Sequence, residues 1–160
     1  MPDPLFILVI TLAVGFAIVN GFNDAANAIA TVIGTRVLSP FMAIIMAAIL
    51  NFVGAATGLA VAMTIGKGII APEALDYDVM LAALIAVIAW GLVATRLGLP
   101  ISISHSFVAG LIGAGIAAAG SGVIVWHGFG RVLSAVAIAP ALGFAGGLSV
   151  MVVLMWILRR

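Results

Sequence analysis

From Leu5 to Thr35 the chain carries one charged side chain, Asp24, and the runs 37–66, 79–95 and 132–158 carry none. Helical stretches of about 20 apolar residues match the thickness of a bilayer's hydrocarbon core. In lipid every backbone polar group must find a partner within the protein, so membrane spans are helices or closed barrels. The runs do not alternate apolar with polar residues, as barrel strands do. Helices remain. Charged residues make up only 7% of the chain, against roughly a quarter in soluble domains. The expected fold is an all-α integral membrane protein, multi-pass and resident in the plasma membrane.

Five apolar segments are expected, at about 5–35, 40–66, 79–97, 100–120 and 132–158, forming a single membrane domain. The first is longer than a bilayer requires, and Gly21 beside Asn20 is the natural place for it to break. Gly54-x-x-x-Gly58 and Gly143-x-x-x-Gly147 are spacings that let another helix approach closely. Residues 67–78, with Glu73, Asp76 and Asp78, form the one sizeable polar loop. Trp126, beside His127, suits an interfacial anchor. Two arrangements of 79–120 stay open. If 100–120 crosses the membrane, Arg36, Arg96, Arg159 and Arg160 face Lys67 and Arg131 across it, which puts the first group in the cytoplasm. If 79–120 is a re-entrant helical hairpin with Pro100 at its tip, Arg96 lies within the membrane and the tally loses its force. The N-terminus lacks the basic stretch of a signal peptide, so the first segment reads as a retained helix. A net charge of +1 without any basic run excludes a nucleic-acid surface. The absence of cysteine excludes disulfides and thiol chemistry.

Asn20-Gly-Phe-Asn-Asp-Ala-Ala-Asn27 interrupts the first apolar run. A central Asp costs roughly 2.5–3.5 kcal/mol to insert. On a helix, Asn20, Asn23, Asp24, Asn27 and Thr31 fall within an arc of about 100°. They form one stripe of oxygen ligands and amide donors. Carboxylate and amide oxygens are what hard cations such as Na⁺ take, so Asp24, with Asn20, Asn23 and Asn27 beside it, supplies a candidate cation site. No further cofactor is expected. The bland alternative is a polar contact between helices with Asp24 protonated or paired.

Pro100-Ile-Ser-Ile-Ser-His-Ser106 has the form of a helix start. Proline suits the entry, and serine caps the free N–H groups. Helix N-termini attract anions through those N–H groups and the helix dipole. Ser102, Ser104, His105 and Ser106 are candidate oxyanion ligands, with Thr31 added from the first helix. Simple capping is the competing explanation. Ser102 or Ser104, His105 and Asp24 also make a Ser/His/Asp set on paper. Ser104 and His105 are adjacent and diverge on a helix, and no Gly-x-Ser-x-Gly elbow exists. An enzyme is not expected.

Gly21-Phe-Asn-Asp-Ala-Ala-Asn-Ala28 resembles the Gly-Ala-Asn-Asp-Val-Ala-Asn-Ala signature of the PiT family of inorganic phosphate transporters. The stretch that follows, as far as Pro40, is similar to bacterial members. Gly98-Leu-Pro-Ile-Ser-Ile-Ser-His-Ser106 resembles the family's Pro-x-Ser-Ser/Thr-Ser/Thr-His motif. The resemblance implies symport of phosphate with Na⁺ or H⁺, or of sulfate in one branch. It implies a cation at Asp24, Asn23 and Asn27, and the oxyanion near Ser102, Ser104 and His105. Phe22 stands where the family has a small residue, and Ile103 where it has a hydroxyl, which removes one donor.

Members of that family carry the signature twice, in two inverted halves. This sequence carries it once. Binding sites of such folds lie between the repeats. The expectation is half of an inverted-repeat transporter, completed by a second copy or a second-half chain, working by alternating access. A non-transporting membrane subunit or fragment is the rival.

Overall fold

The computed structural model describes residues 3–58 and 68–159. Within them five α-helices follow one another: α1 (Pro4–Gly34), α2 (Pro40–Thr57), α3 (Tyr77–Leu97), α4 (Ile103–Ala119) and α5 (Trp126–Ile157). Four of these, all but α4, are long and apolar enough to cross a membrane. The distal part of the second expected span, along with Lys67 and Arg160 of the charge tally, lies outside the described residues.

The helix starts follow local chemistry. Side-chain oxygens of Asp3, Ser39, Asp76 and Ser102 accept backbone N–H groups in the first turns of α1 to α4. Proline opens α1 and α2, where its missing donor has no helical partner in any case. The ends of α1 and α3 share one motif. Val37 N–H donates to Val32 O and Arg36 N–H to Ile33 O, while Leu99 N–H donates to Ala94 O and Gly98 N–H to Thr95 O. This is the Schellman closure, which needs one left-handed residue. Gly98 supplies it after α3 with φ 66°, and Arg36 supplies it after α1 with φ 59°.

The expected break in α1 is absent. The helix runs unbroken for 31 residues through Gly21. Glycine inside a helix costs about 1 kcal/mol but does not by itself open a turn. Opening one in an apolar setting would strand several backbone groups, a larger penalty. α5 also begins six residues earlier than expected, at Trp126, and continues through Pro140.

The core is built around α1, α3 and α4. Val19, Val87 and Ile103 are buried together, with Phe16 and Phe107 stacked alongside at 5.0 Å between ring centres. α1 and α3 run parallel. Gly15 meets Ile88, Val19 meets Gly91, and Asn23 hydrogen-bonds Thr95, one turn apart in each case. α4 returns antiparallel to α3, with Gly110 beside Ala83 and Ile103 beside Gly91. Beyond the Asn23–Thr95 level, α1 continues to Gly34 while α3 stops at Leu97. α3 therefore ends about 14 Å short of the end of α1, at 1.5 Å per residue.

α2 packs antiparallel on the other side of α1, through buried Ile29, Ala43 and Ala47. The small residues that allow this approach are these alanines. No heavy atom lies within 4 Å of a Cβ placed on Gly54, Gly143 or Gly147, so among the described residues these glycines face no close neighbour. The loop expected to be solvated begins as a buried strap. Ile69 and Ile70 are fully buried against Val108, Leu111 and Val123. Backbone bonds from Ala71 N–H to Val123 O (2.8 Å) and from Val125 N–H to Ile69 O (3.0 Å) tie the strap to the α4–α5 connection. Past its first turns α5 is exposed along its length, and Gly128 is its one buried residue.

Candidate ion and anion site on the first helix

The polar stripe of α1 exists, but α1 divides it between two grooves. Asn20 and Asp24 face α2 and share a cavity of about 430 Å³ with Asn51, Ala47 and Ala48. Asn23 and Asn27 face the hairpin and line a smaller cavity of about 210 Å³ with Thr95, Gly98, Leu99 and Pro100. The division follows from helical angle. Positions 20 and 24 lie toward one edge of the 100° arc, and 23 and 27 toward the other.

In the α1–α2 cavity, the side-chain oxygen of Asn20 is buried and has no hydrogen-bond partner among the described residues. Buried polar atoms are nearly always satisfied, so an orphan of this kind points to a missing ligand, ion or water. Asn51 Nδ2 donates to Ala47 O at 2.8 Å, which ties the amide's donor side to its own helix and leaves Oδ1 without a hydrogen bond among the described residues. Asp24 supplies the negative charge. Asn51 was not singled out as a ligand from the sequence. The signal that marks it is the four-residue spacing Ala43, Ala47, Asn51, Ala55, one face of small residues with a single amide.

In the α1–hairpin cavity, Asn23 Nδ2 donates to Thr95 Oγ1 (2.8 Å) and to Val19 O (3.3 Å). The tip after α3 is shaped by left-handed Gly98 and by Pro100. Ser102 caps α4. Its Oγ accepts His105 N–H at 3.4 Å, and Ser106 Oγ donates to Ser102 O at 2.9 Å. The N-terminus of α4 starts beside Val19, because Ile103 is packed there. The second motif therefore begins against the same stretch of α1 as the first.

The remaining expected ligands are spread out. Ser104 is exposed. His105 lines a separate, mostly apolar cavity of about 320 Å³ between α4 and α5, with Phe129 and Val132. Thr31 sits about 10 Å further along α1 than Asp24 and borders neither polar cavity. Its carbonyl accepts Thr35 Oγ1–H at 2.7 Å. No cluster of three or more His, Cys, Asp or Glu residues occurs among the described residues. The candidate ligands are therefore one carboxylate with amide oxygens, a set suited to a monovalent hard cation rather than a transition metal.

Long apolar helices, with an exposed carboxylate, Asp24, and a capped start to α4 between them, define a multi-pass membrane protein. The phosphate transporter family (PHO4) matches residues 20–160, and the chain belongs to that family. A "Probable low-affinity inorganic phosphate transporter" of Rhizobium meliloti is 40% identical over 98% of this chain and 47% of its own length. One of the same description from Bacillus subtilis is 45% identical over 89% of this chain and 44% of its own length. A third, from Streptomyces halstedii, is 42% identical over 98% of this chain and 74% of its own. A solved structure titled "The sodium-dependent phosphate transporter" superposes with a TM-score of 0.85 at 35% identity, covering 97% of this chain and 40% of that one. The chain thus spans about half the length of the first two relatives. The family is one of transporters, not of enzymes.

Proposed function

We propose that this chain forms one repeat of a cation-coupled phosphate carrier that works by alternating access in the plasma membrane. Na⁺ is the favoured coupling ion, because a relative of high structural similarity is titled sodium-dependent. The observation that carries the reading is the unpartnered, buried Asn20 oxygen in one cavity with Asp24 and Asn51. In this reading Na⁺ binds Asp24, Asn20 and Asn51, with Asn23 and Asn27 presenting further oxygens on the hairpin side. Phosphate binds at the α4 N-terminus, where the first-turn N–H groups have no helical acceptor. Ser102, Ser104 and Ser106 lie in that first turn.

Coupling follows from charge. An anion beside an uncompensated carboxylate is repelled, and a bound cation removes the repulsion. The α3–α4 hairpin is re-entrant in this scheme, its tip reaching the level of Asn23 to deliver the anion site to α1. A second copy of the chain, or a second-half chain, supplies the other side of the centre.

The test is phosphate uptake into vesicles from membranes expressing the chain, with Na⁺ replaced by choline and pH varied separately. Na⁺-stimulated uptake that is lost in Asp24→Asn supports the reading. Equal stimulation of wild type and Asp24→Asn would sink the cation role. Competition by sulfate stronger than by phosphate would reassign the anion, and stimulation by protons alone would reassign the coupling ion.

A further inference from the structure

We propose that Thr95 is a positioning residue for the cation site: its hydroxyl fixes the amide of Asn23 so that the carbonyl oxygen, not the NH₂ group, faces the cavity at the hairpin tip. The inference rests on the cation reading above and adds a residue that touches no ion.

The argument is one of hydrogen-bond inventory. A Thr hydroxyl has one proton to give and lone pairs to accept with. Thr95 Oγ1 gives its proton to Gly91 O at 2.7 Å. Toward Asn23 it can then only accept. Asn23 Nδ2 donates to it at 2.8 Å, and its other proton goes to Val19 O at 3.3 Å. Both amide protons are used. If the amide flipped, its oxygen would face Val19 O, which can only accept, and Thr95 would have to withdraw its proton from Gly91 O to serve it, so the network disfavours that state. Asn23 Oδ1 is left as the amide atom free to bind a cation in the cavity it shares with Asn27 and Pro100.

The bond can form because of what lies one turn away. Gly91 has no side chain, and a Cβ there would stand 2.6 Å from Val19 Cγ1 and 2.9 Å from Ile103 Cδ1. Glycine lets α1 and α3 approach at Val19, and the next turn then brings Asn23 onto Thr95. Removing the hydroxyl frees one amide proton and both amide orientations. An NH₂ group presented to the cavity repels the cation.

The chain has no cysteine, which permits a direct assay. Ala26 lines the same cavity. In the full chain carrying Ala26→Cys, alkylation by a neutral maleimide is timed against rising Na⁺, with choline as control. The Na⁺ concentration giving half-protection should rise roughly five- to tenfold in Thr95→Val, the equivalent of one lost hydrogen bond. Thr95→Ser should restore it. In an Asn23→Ala background Thr95→Val should add nothing. A purely structural role would lower the amount of protein in the membrane without moving the half-point. An unchanged half-point in Thr95→Val, no rescue by serine, or no Na⁺ protection of Ala26→Cys at all overturns the proposal. The cation reading survives any of these if Na⁺ protects Ala48→Cys in the α1–α2 cavity and Asp24→Asn abolishes that protection; absence of protection at both cysteines overturns both.

Discussion

Substituting alanine for Gly91 should loosen the α1–α3–α4 contact at its tightest point. The added Cβ would lie 2.6 Å from Val19 Cγ1 and 2.9 Å from Ile103 Cδ1. Carbon atoms rest at about 3.5–4.0 Å, so the helices must part by about 1 Å. Neither neighbour has free space, since Val19 is 6% exposed and Ile103 fully buried. Overpacking of this kind costs about 1–3 kcal/mol. Two simultaneous clashes put Gly91→Ala near the upper end, and alanine's helix preference offsets up to about 1 kcal/mol. The net loss should be about 2 kcal/mol, roughly a 30-fold shift in the unfolding equilibrium. Reversible unfolding in mixed micelles, followed by tryptophan fluorescence, measures it. Val19→Ala on the same chain makes room for the new methyl. The double variant should then be more stable than the sum of the single effects by about 1 kcal/mol or more. Gly91→Ala within about 0.5 kcal/mol of wild type, or a double variant that is simply additive, would refute the packing argument.

Asn51→Ala should raise the Na⁺ needed for half-protection of Ala48→Cys, in the α1–α2 cavity, by roughly tenfold; an unchanged half-point removes Asn51 from the site. Arg36→Gly should stabilise the chain by about 0.5–1 kcal/mol, because φ 59° strains any residue with a Cβ. The same micelle unfolding assay checks it, and a loss of stability would contradict the Schellman closure drawn for the end of α1.

What was legible in the sequence was what depends on local chemistry. Apolar runs without charges require helices in lipid, and helices occur there. The serine cap before α4 read directly, because N-caps act within a few residues. The stripe on α1 was also readable, since angle on a helix is a function of spacing alone. Its division between two grooves was not. That depends on where α2 and α3 dock, and docking is set by Ala43 and Ala47 on one side and Gly91 on the other. Small residues in a membrane sequence are common, and Gly54, Gly143 and Gly147 of the Gly-x-x-x-Gly pairs face no close neighbour among the described residues. The buried strap at Ile69 and Ile70 was hidden by the acidic residues that follow it. Gly21 misled in the other direction, since it permits a break that α1 does not make.

The unbroken α1 changes how the proposed site must work. Had α1 opened at Gly21, freed carbonyls could have surrounded the cation. In a continuous helix those carbonyls bond the N–H groups four residues on, and only side-chain oxygens remain. In the α1–α2 cavity these come from Asp24, Asn20 and Asn51. Hard cations such as Ca²⁺ take roughly six to eight oxygens, and even a smaller shell exceeds what the three residues supply. The balance must come from water, from the bound anion, or from residues beyond those described. Each of these makes cation affinity depend on what else is present, and that dependence is what coupled transport requires. Asp24 is also the one anionic ligand available on this face. Its loss should therefore be felt more strongly than the loss of either amide, and phosphate should increase the apparent affinity for Na⁺ by the same factor that Na⁺ increases it for phosphate.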